Sequence, residues 1–210
     1  MRFPPIHPSK FSTEQKELYD DMRAGIATGL NSFRTSLDDG SMIGPWNASL
    51  HHPAVGKAFW QLTKAISSFG TVSANVKEVA ILVVGGFYKA SYEIYAHVAV
   101  AEHMGMPPAR ISALLANVKP NGLTAEESTA FDLAFGLCRG GPLPEVTWRL
   151  AVQAFGEVGA AQLVYLVGLY AFVSTALNGF DVLSPDDASA RTPPTPELER
   201  GLPPLPMTQL

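Results

Sequence analysis

Glu78-Val79-Ala80-Ile81-Leu82-Val83-Val84-Gly85-Gly86-Phe87-Tyr88-Lys89-Ala90-Ser91-Tyr92-Glu93-Ile94-Tyr95-Ala96-His97 is the stretch on which the fold class turns. Its valine-rich run from Val79 to Val84 fits a buried strand as well as a buried helix, because a short apolar run carries no period of its own. The rest of the chain decides between them. Nowhere do alternating apolar and polar residues meet hairpin turns, so the run is read as part of a helix from Ala74 to Tyr88, and the fold class as all-α.

Working outward, a helix is expected from Ser91 to His103. Gly105 should close it in a left-handed cap position ahead of Pro107 and Pro108. Ser12-Thr13-Glu14-Gln15 and Thr124-Ala125-Glu126-Glu127 are capping-box spellings, which open helices towards Thr28 and Cys138. Pro53 starts a helix to Phe69, since its missing N–H costs nothing in a first turn. Pro108 to Val118, Pro144 to Phe155 and Gly159 to Leu177 complete the set, and Asn31 to Pro45 reads as irregular with a turn at Asp38-Asp39-Gly40. Residues 1–182 form one helical domain. Residues 183–210 are a proline-rich tail that cannot bury a core of its own.

Composition narrows the function. Charged residues make up 16% of the 210-residue chain, against roughly 25% in an average soluble domain. Such a chain hides surface against copies of itself or sits in lipid. Val158 to Phe180 is uncharged and long enough to span a bilayer, but Gln162, Ser174, Thr175 and Asn178 interrupt it and no Lys/Arg cluster flanks it. It is read as a helix buried on most sides, with no membrane partner. The net charge of −4 offers no basic field for nucleic acid. The single cysteine, Cys138, excludes an internal disulfide, and the N-terminus does not read as a signal peptide, so the expected compartment is the cytoplasm.

Glu93 and His97 stand four apart, so on a helix they share a face, which Val100 and Met104 extend with apolar surface. Desolvation there should raise the carboxyl pKa and lower that of the histidine, moving both towards neutrality. The bland alternative is a solvent-exposed pair.

Glu78, Ala90, Glu93 and His97 together spell Glu-x11-Ala-x2-Glu-x3-His, which resembles the Glu-x11-Cys-x2-Cys-x3-His signature of the alkylhydroperoxidase D family. Gly44-Pro45-Trp46-Asn47-Ala48-Ser49-Leu50-His51-His52-Pro53 and Leu177-Asn178-Gly179-Phe180 resemble segments of the carboxymuconolactone decarboxylase branch of that superfamily, and the likeness covers about Phe11 to Val182. The resemblance implies an alkylhydroperoxidase D-like helical domain assembled as a homo-oligomer, a trimer or hexamer. Because Ala90 and Glu93 replace the thiols, peroxide reduction through a cysteine pair is excluded.

The decarboxylase branch implies loss of CO2 from a lactone acid through an enol-type intermediate, without cofactor or metal. On that reading His97 donates the proton, Glu93 orients it or holds the substrate, and Glu78 sets the protonation state of the pair. His51, Asn47, Tyr92 and Trp46 would contact a small carboxylated lactone or cyclic enone. Asn47 has a plainer role as a turn cap, and His51 or His52 as a backbone partner at a helix start. Tyr88, Tyr92, Tyr95, Phe87 and Trp60 fit a substrate pocket, the core or a subunit interface. Competing readings are a non-catalytic binding or assembly protein on the same scaffold, a peroxidase using external thiols, and a metal site built from His51, Glu93 and His97.

Overall fold

The computed structural model describes residues 1–29 and 32–185. The described chain is helical, with a short 3₁₀ turn at Pro8–Lys10 followed by α1 (Thr13–Gly29), α2 (Gly44–His51), α3 (Pro53–Ser67), α4 (Ala74–Tyr88), α5 (Ser91–His103), α6 (Pro108–Leu115), α7 (Ala125–Cys138) and α8 (Glu145–Gly179). Among the described residues the only β pairing is an isolated bridge between Ser36 and Met42.

The ambiguous run is helical and central. Val79, Ala80, Ile81, Leu82, Val83 and Val84 are all buried, because α4 is covered by α5, α6, α7 and α8. An all-round apolar helix is what such a position requires. Lys89 ends α4 in the left-handed conformation (φ 53°), and one extended residue, Ala90, precedes α5. This tight connection folds α5 back along α4 and brings residues early in α4 beside the middle of α5.

Both capping boxes form. The Gln15 amide donates to Ser12 Oγ at 3.2 Å while the Ser12 amide donates to Gln15 Oε1 at 2.9 Å. Thr124 and Glu127 make the same reciprocal pair at 3.1 and 2.8 Å. Each box satisfies two amides that the helix itself leaves without partners.

Gly44–His51 forms a further helix, α2, of which only the first two residues fall in the stretch from Asn31 to Pro45 expected to be irregular; it starts from Gly44 at φ 65° with Pro45 in its first turn. A Cβ on Gly44 would lie 2.4 Å from the Tyr92 ring, so the residue is fixed by both conformation and contact. The two helices expected after Pro144 both form, meeting within α8 at Gly156, whose φ 70°, ψ 170° is non-helical. The second of them is less covered than expected. It packs on α4 and α7, yet Val158, Tyr165 and Phe172 are 65%, 64% and 48% exposed, and Val55 and Leu62 of α3 are exposed too. These residues recur every seven positions along α8, which leaves an apolar stripe on its outer side. By length and composition α8 is long and apolar enough to cross a membrane, and 44% of its most apolar segment is buried within the chain.

Residues 183–185 of the proline-rich tail are described, with Ser184 hydrogen-bonded to Ser91. Residues 186–210 lie outside the described residues.

Candidate active site

The α4–α5 hairpin places Glu78 on one side of His97, and the four-residue spacing on α5 places Glu93 on the other. Glu78 Oε1 lies 2.8 Å from His97 Nδ1 in a hydrogen bond, and Glu93 Oε1 lies 3.2 Å from Nε2. The second contact is an ion pair without hydrogen-bond alignment, since Glu93 Oε1 is buried and has no hydrogen-bond partner. Both carboxyl groups are almost fully buried, at 4% exposure. The Tyr170 ring from α8 meets the imidazole edge-on at a centroid distance of 5.0 Å.

Electrostatics follows from this packing. Burial, together with the charge of Glu78, raises Glu93 to about 7 against the opposing pull of His97. For His97, burial alone pushes the pKa down, but the charges of Glu78 and Glu93 and the Glu78 hydrogen bond outweigh it and carry the imidazole up to about 9. The upward shift of Glu93 agrees with its expected desolvation. The expected lowering of His97 is overturned, because two carboxylates on opposite ring nitrogens stabilise the cation more than burial destabilises it. Near neutral pH the centre therefore holds an imidazolium beside a carboxyl group that is changing protonation state. Burial, then Glu93 and Glu78, also raise the Tyr170 phenol, which keeps it protonated.

Glu93 and His97 form part of the wall of a cavity of about 390 Å³. Trp46 and Tyr92, assigned to substrate contact from the sequence, line it too, as does Trp60. Glu78 does not line it; it holds the imidazole from behind. Phe33, Phe59, Leu169, Tyr170 and Val173 complete the apolar walls, and Thr28, Thr63, Lys64 and Ser67 add polar groups from α1 and α3. Lys64 is paired with Asp21 at 2.8 Å. Tyr170 and Leu169 were missed because they lie in the uncharged stretch read as core. No polar signal singled Tyr170 out, because the same stretch holds Tyr165, Gln162, Ser174, Thr175 and Asn178.

Asn47 and His51 are engaged elsewhere. Asn47 Nδ2 donates to the Phe3 carbonyl at 2.9 Å and its Oδ1 accepts from the Ile6 amide at 3.3 Å. His51 Nε2 lies 3.0 Å from the Pro4 carbonyl, and its ring stacks on Phe3 at 4.5 Å. Both tie the N-terminal segment to α2, and neither lines the cavity, so His51 is not brought together with Glu93 and His97 as a ligand set. Among the described residues no group of three or more His, Cys, Asp or Glu side chains is arranged to hold a metal ion. His52 borders a second, more apolar cavity of about 570 Å³, which shares Pro45, Phe59 and Val173 with the first. Tyr95 is core, its hydroxyl accepting from the Arg34 amide, while Phe87 is exposed and packs on Tyr88. Val100 and Met104 lie outside the cavity wall, which α1, α2, α3 and α8 build instead. Cys138 is also outside it, and burial pushes its thiol up to about 11.

The carboxymuconolactone decarboxylase family model matches residues 53–135, the segment that carries Glu78, Glu93 and His97. The fold is shared with solved structures at low identity. A peroxidase-related protein from Ralstonia eutropha JMP134, described as an alkylhydroperoxidase AhpD core, superposes with a TM-score of 0.70 at 13% identity, over 89% of this chain and 93% of that one. A variant of the debrominase Bmp8 in complex with 2,3,4-tribromopyrrole gives 0.68 at 14% identity, over 91% and 95%. Comparison with curated proteins gives no significant match. The family segment and the AhpD-like all-α fold thus agree with the resemblance read from Glu78 to His97.

Proposed function

We propose that this chain is a cofactor-independent acid–base enzyme, a carboxy-lyase or related lyase or isomerase, acting on a small carboxylated lactone or cyclic enone. The observation that carries the reading is the His97 imidazole held between two buried carboxyl groups on the wall of a mainly apolar cavity. Decarboxylation breaks the bond from the ring carbon to the carboxylate. Its electron pair passes into the adjacent carbonyl as an enolate, CO2 leaves, and a proton then forms the new C–H bond. A cationic N–H donor in a water-poor site stabilises the enolate and can supply that proton. His97 is in the donor form at neutral pH. Glu93 holds the substrate or orients His97, and Glu78 positions the ring from behind.

The two neighbouring functions fit less well. Peroxide reduction with external thiols has no reactive sulfur in the cavity wall to receive the oxidising equivalent, and a purely non-catalytic role leaves two buried carboxyls around one imidazole without a use. The enzyme is proposed to work in the cytoplasm as a homo-oligomer, a trimer or hexamer by family resemblance. The exposed stripe of Val158, Tyr165 and Phe172 supports self-association, and light scattering should give several times the chain mass; a clean monomer would refute it.

The test of function is CO2 release from a panel of carboxylated lactones and cyclic enones. His97→Gln should lower kcat by about 10²–10⁴-fold while leaving the circular dichroism spectrum and oligomer size unchanged. Activity on such a substrate that survives in this variant contradicts the assignment.

A further inference from the structure

A buried carboxylate oxygen without a hydrogen-bond partner is costly, and in a native structure it calls for an explanation. Glu93 Oε1 is such an atom, and the carboxyl group to which it belongs forms part of the wall of a cavity large enough for a ring-sized molecule. Beside it, 3.2 Å away, stands His97 Nε2, whose N–H is not aligned with that oxygen. The wall therefore offers an acceptor and a donor side by side. A hydroxyl group answers both, because its oxygen accepts while its hydrogen donates.

We infer that the molecule bound in this cavity is a planar ring bearing a hydroxyl, which donates to the Glu93 carboxyl group beside His97 Nε2. The inference rests on the cavity being the active site and does not depend on the lyase chemistry. The surrounding walls suit a flat apolar body: Phe33, Trp46, Trp60, Tyr92 and Tyr170 are aromatic, and Leu169 and Val173 are aliphatic. Glu93 occupies the position at which the resembled signature has its second cysteine, so this recognition belongs to the departure of this chain from that pattern.

The groups facing Glu93 set the pH dependence. They are His97 and Tyr92 on α5, Glu78 on α4 and Tyr170 on α8, with the Lys64–Asp21 pair elsewhere on the cavity wall. Above about pH 7 Glu93 is a carboxylate and only accepts; below it the protonated acid can itself donate. The demand for a ligand donor is therefore strongest on the alkaline side.

Phenol and anisole test this, since they share a ring and differ in the O–H. By apolar area alone anisole binds more tightly, so the order of affinity is diagnostic. Titration at pH 8, followed through the indole N–H NMR signals of Trp46 and Trp60, should give phenol a Kd at least about tenfold below that of anisole. The ratio should shrink at pH 5.5 and fall to about one in Glu93→Leu. Should that variant not fold, the pH 8 to pH 5.5 comparison in the native protein carries the same test. Anisole binding as well as phenol at pH 8, or no phenol binding, overturns the inference. A phenol preference without turnover of any carboxylated lactone upholds it and sinks the lyase reading, and turnover without the preference does the reverse.

Discussion

Two regions of this molecule each place a histidine near a polar partner. At the α4–α5 hairpin, His97 is buried between the carboxyl groups of Glu78 and Glu93, with one face on a cavity. At α2, His51 stacks on Phe3 and meets a backbone carbonyl, while Asn47 ties down the same N-terminal segment. The residue types are similar, but the partners differ in charge. A histidine against neutral backbone groups serves packing, whereas one against two desolvated carboxylates has its protonation state set by the protein. That contrast is what separates chemistry from structure here.

The contrast breaks most sharply if Glu78 is removed. Glu78→Leu should destabilise the fold by about 3–5 kcal/mol, the usual cost of leaving a buried charge without its partner, and should lower kcat as well. Urea unfolding of the native protein and the variant gives the comparison. His51→Ala, by contrast, should do neither.

The pH dependence of stability sharpens the same point. Glu93 is raised in the folded state, so folding is increasingly opposed as pH rises from its ordinary 4.5 to about 7. His97 is raised from 6.5 to about 9, so the stability it contributes is fully present below 6.5 and is lost as pH climbs through 9. Both effects have one sign, and the urea midpoint should fall between pH 5 and pH 9. The fall should be shallower in Glu93→Gln. A midpoint that rises over this range would contradict the assigned shifts.

Gly44→Ala probes the link between the two regions, because α2 begins against the Tyr92 ring. A left-handed backbone and a 2.4 Å contact together should cost about 1–3 kcal/mol. Asn47→Ala should cost about 1–2 kcal/mol for its two hydrogen bonds, speed amide exchange at Ile6, and leave phenol affinity unchanged. Smallest of all, His51→Ala should stay within about 1 kcal/mol, the value of a stacked aromatic pair.

What the sequence could reveal follows the range of the contacts involved. Helix starts at Thr13 and Ala125 were legible because a capping box closes within four residues. The Glu93–His97 pair was legible because helical spacing alone brings it together. Glu78 needed the resemblance, since no local rule says which residue of α4 faces α5. The roles of Asn47 and His51 depended on Phe3, Pro4 and Ile6, more than forty residues away, which no local period encodes. The cavity walls from α1, α3 and α8 were hidden for the same reason. The sign of the His97 shift was misjudged because spacing showed the burial and one carboxylate, while the outcome depends on two.

The most direct measurement is an NMR titration of the His97 imidazole in the folded protein, assigned by comparison with His97→Gln. His97 is expected to remain cationic through neutral pH and to titrate at about 9, moving down in Glu78→Gln. Titration at or below the ordinary 6.5 would contradict a charged centre between Glu78 and Glu93.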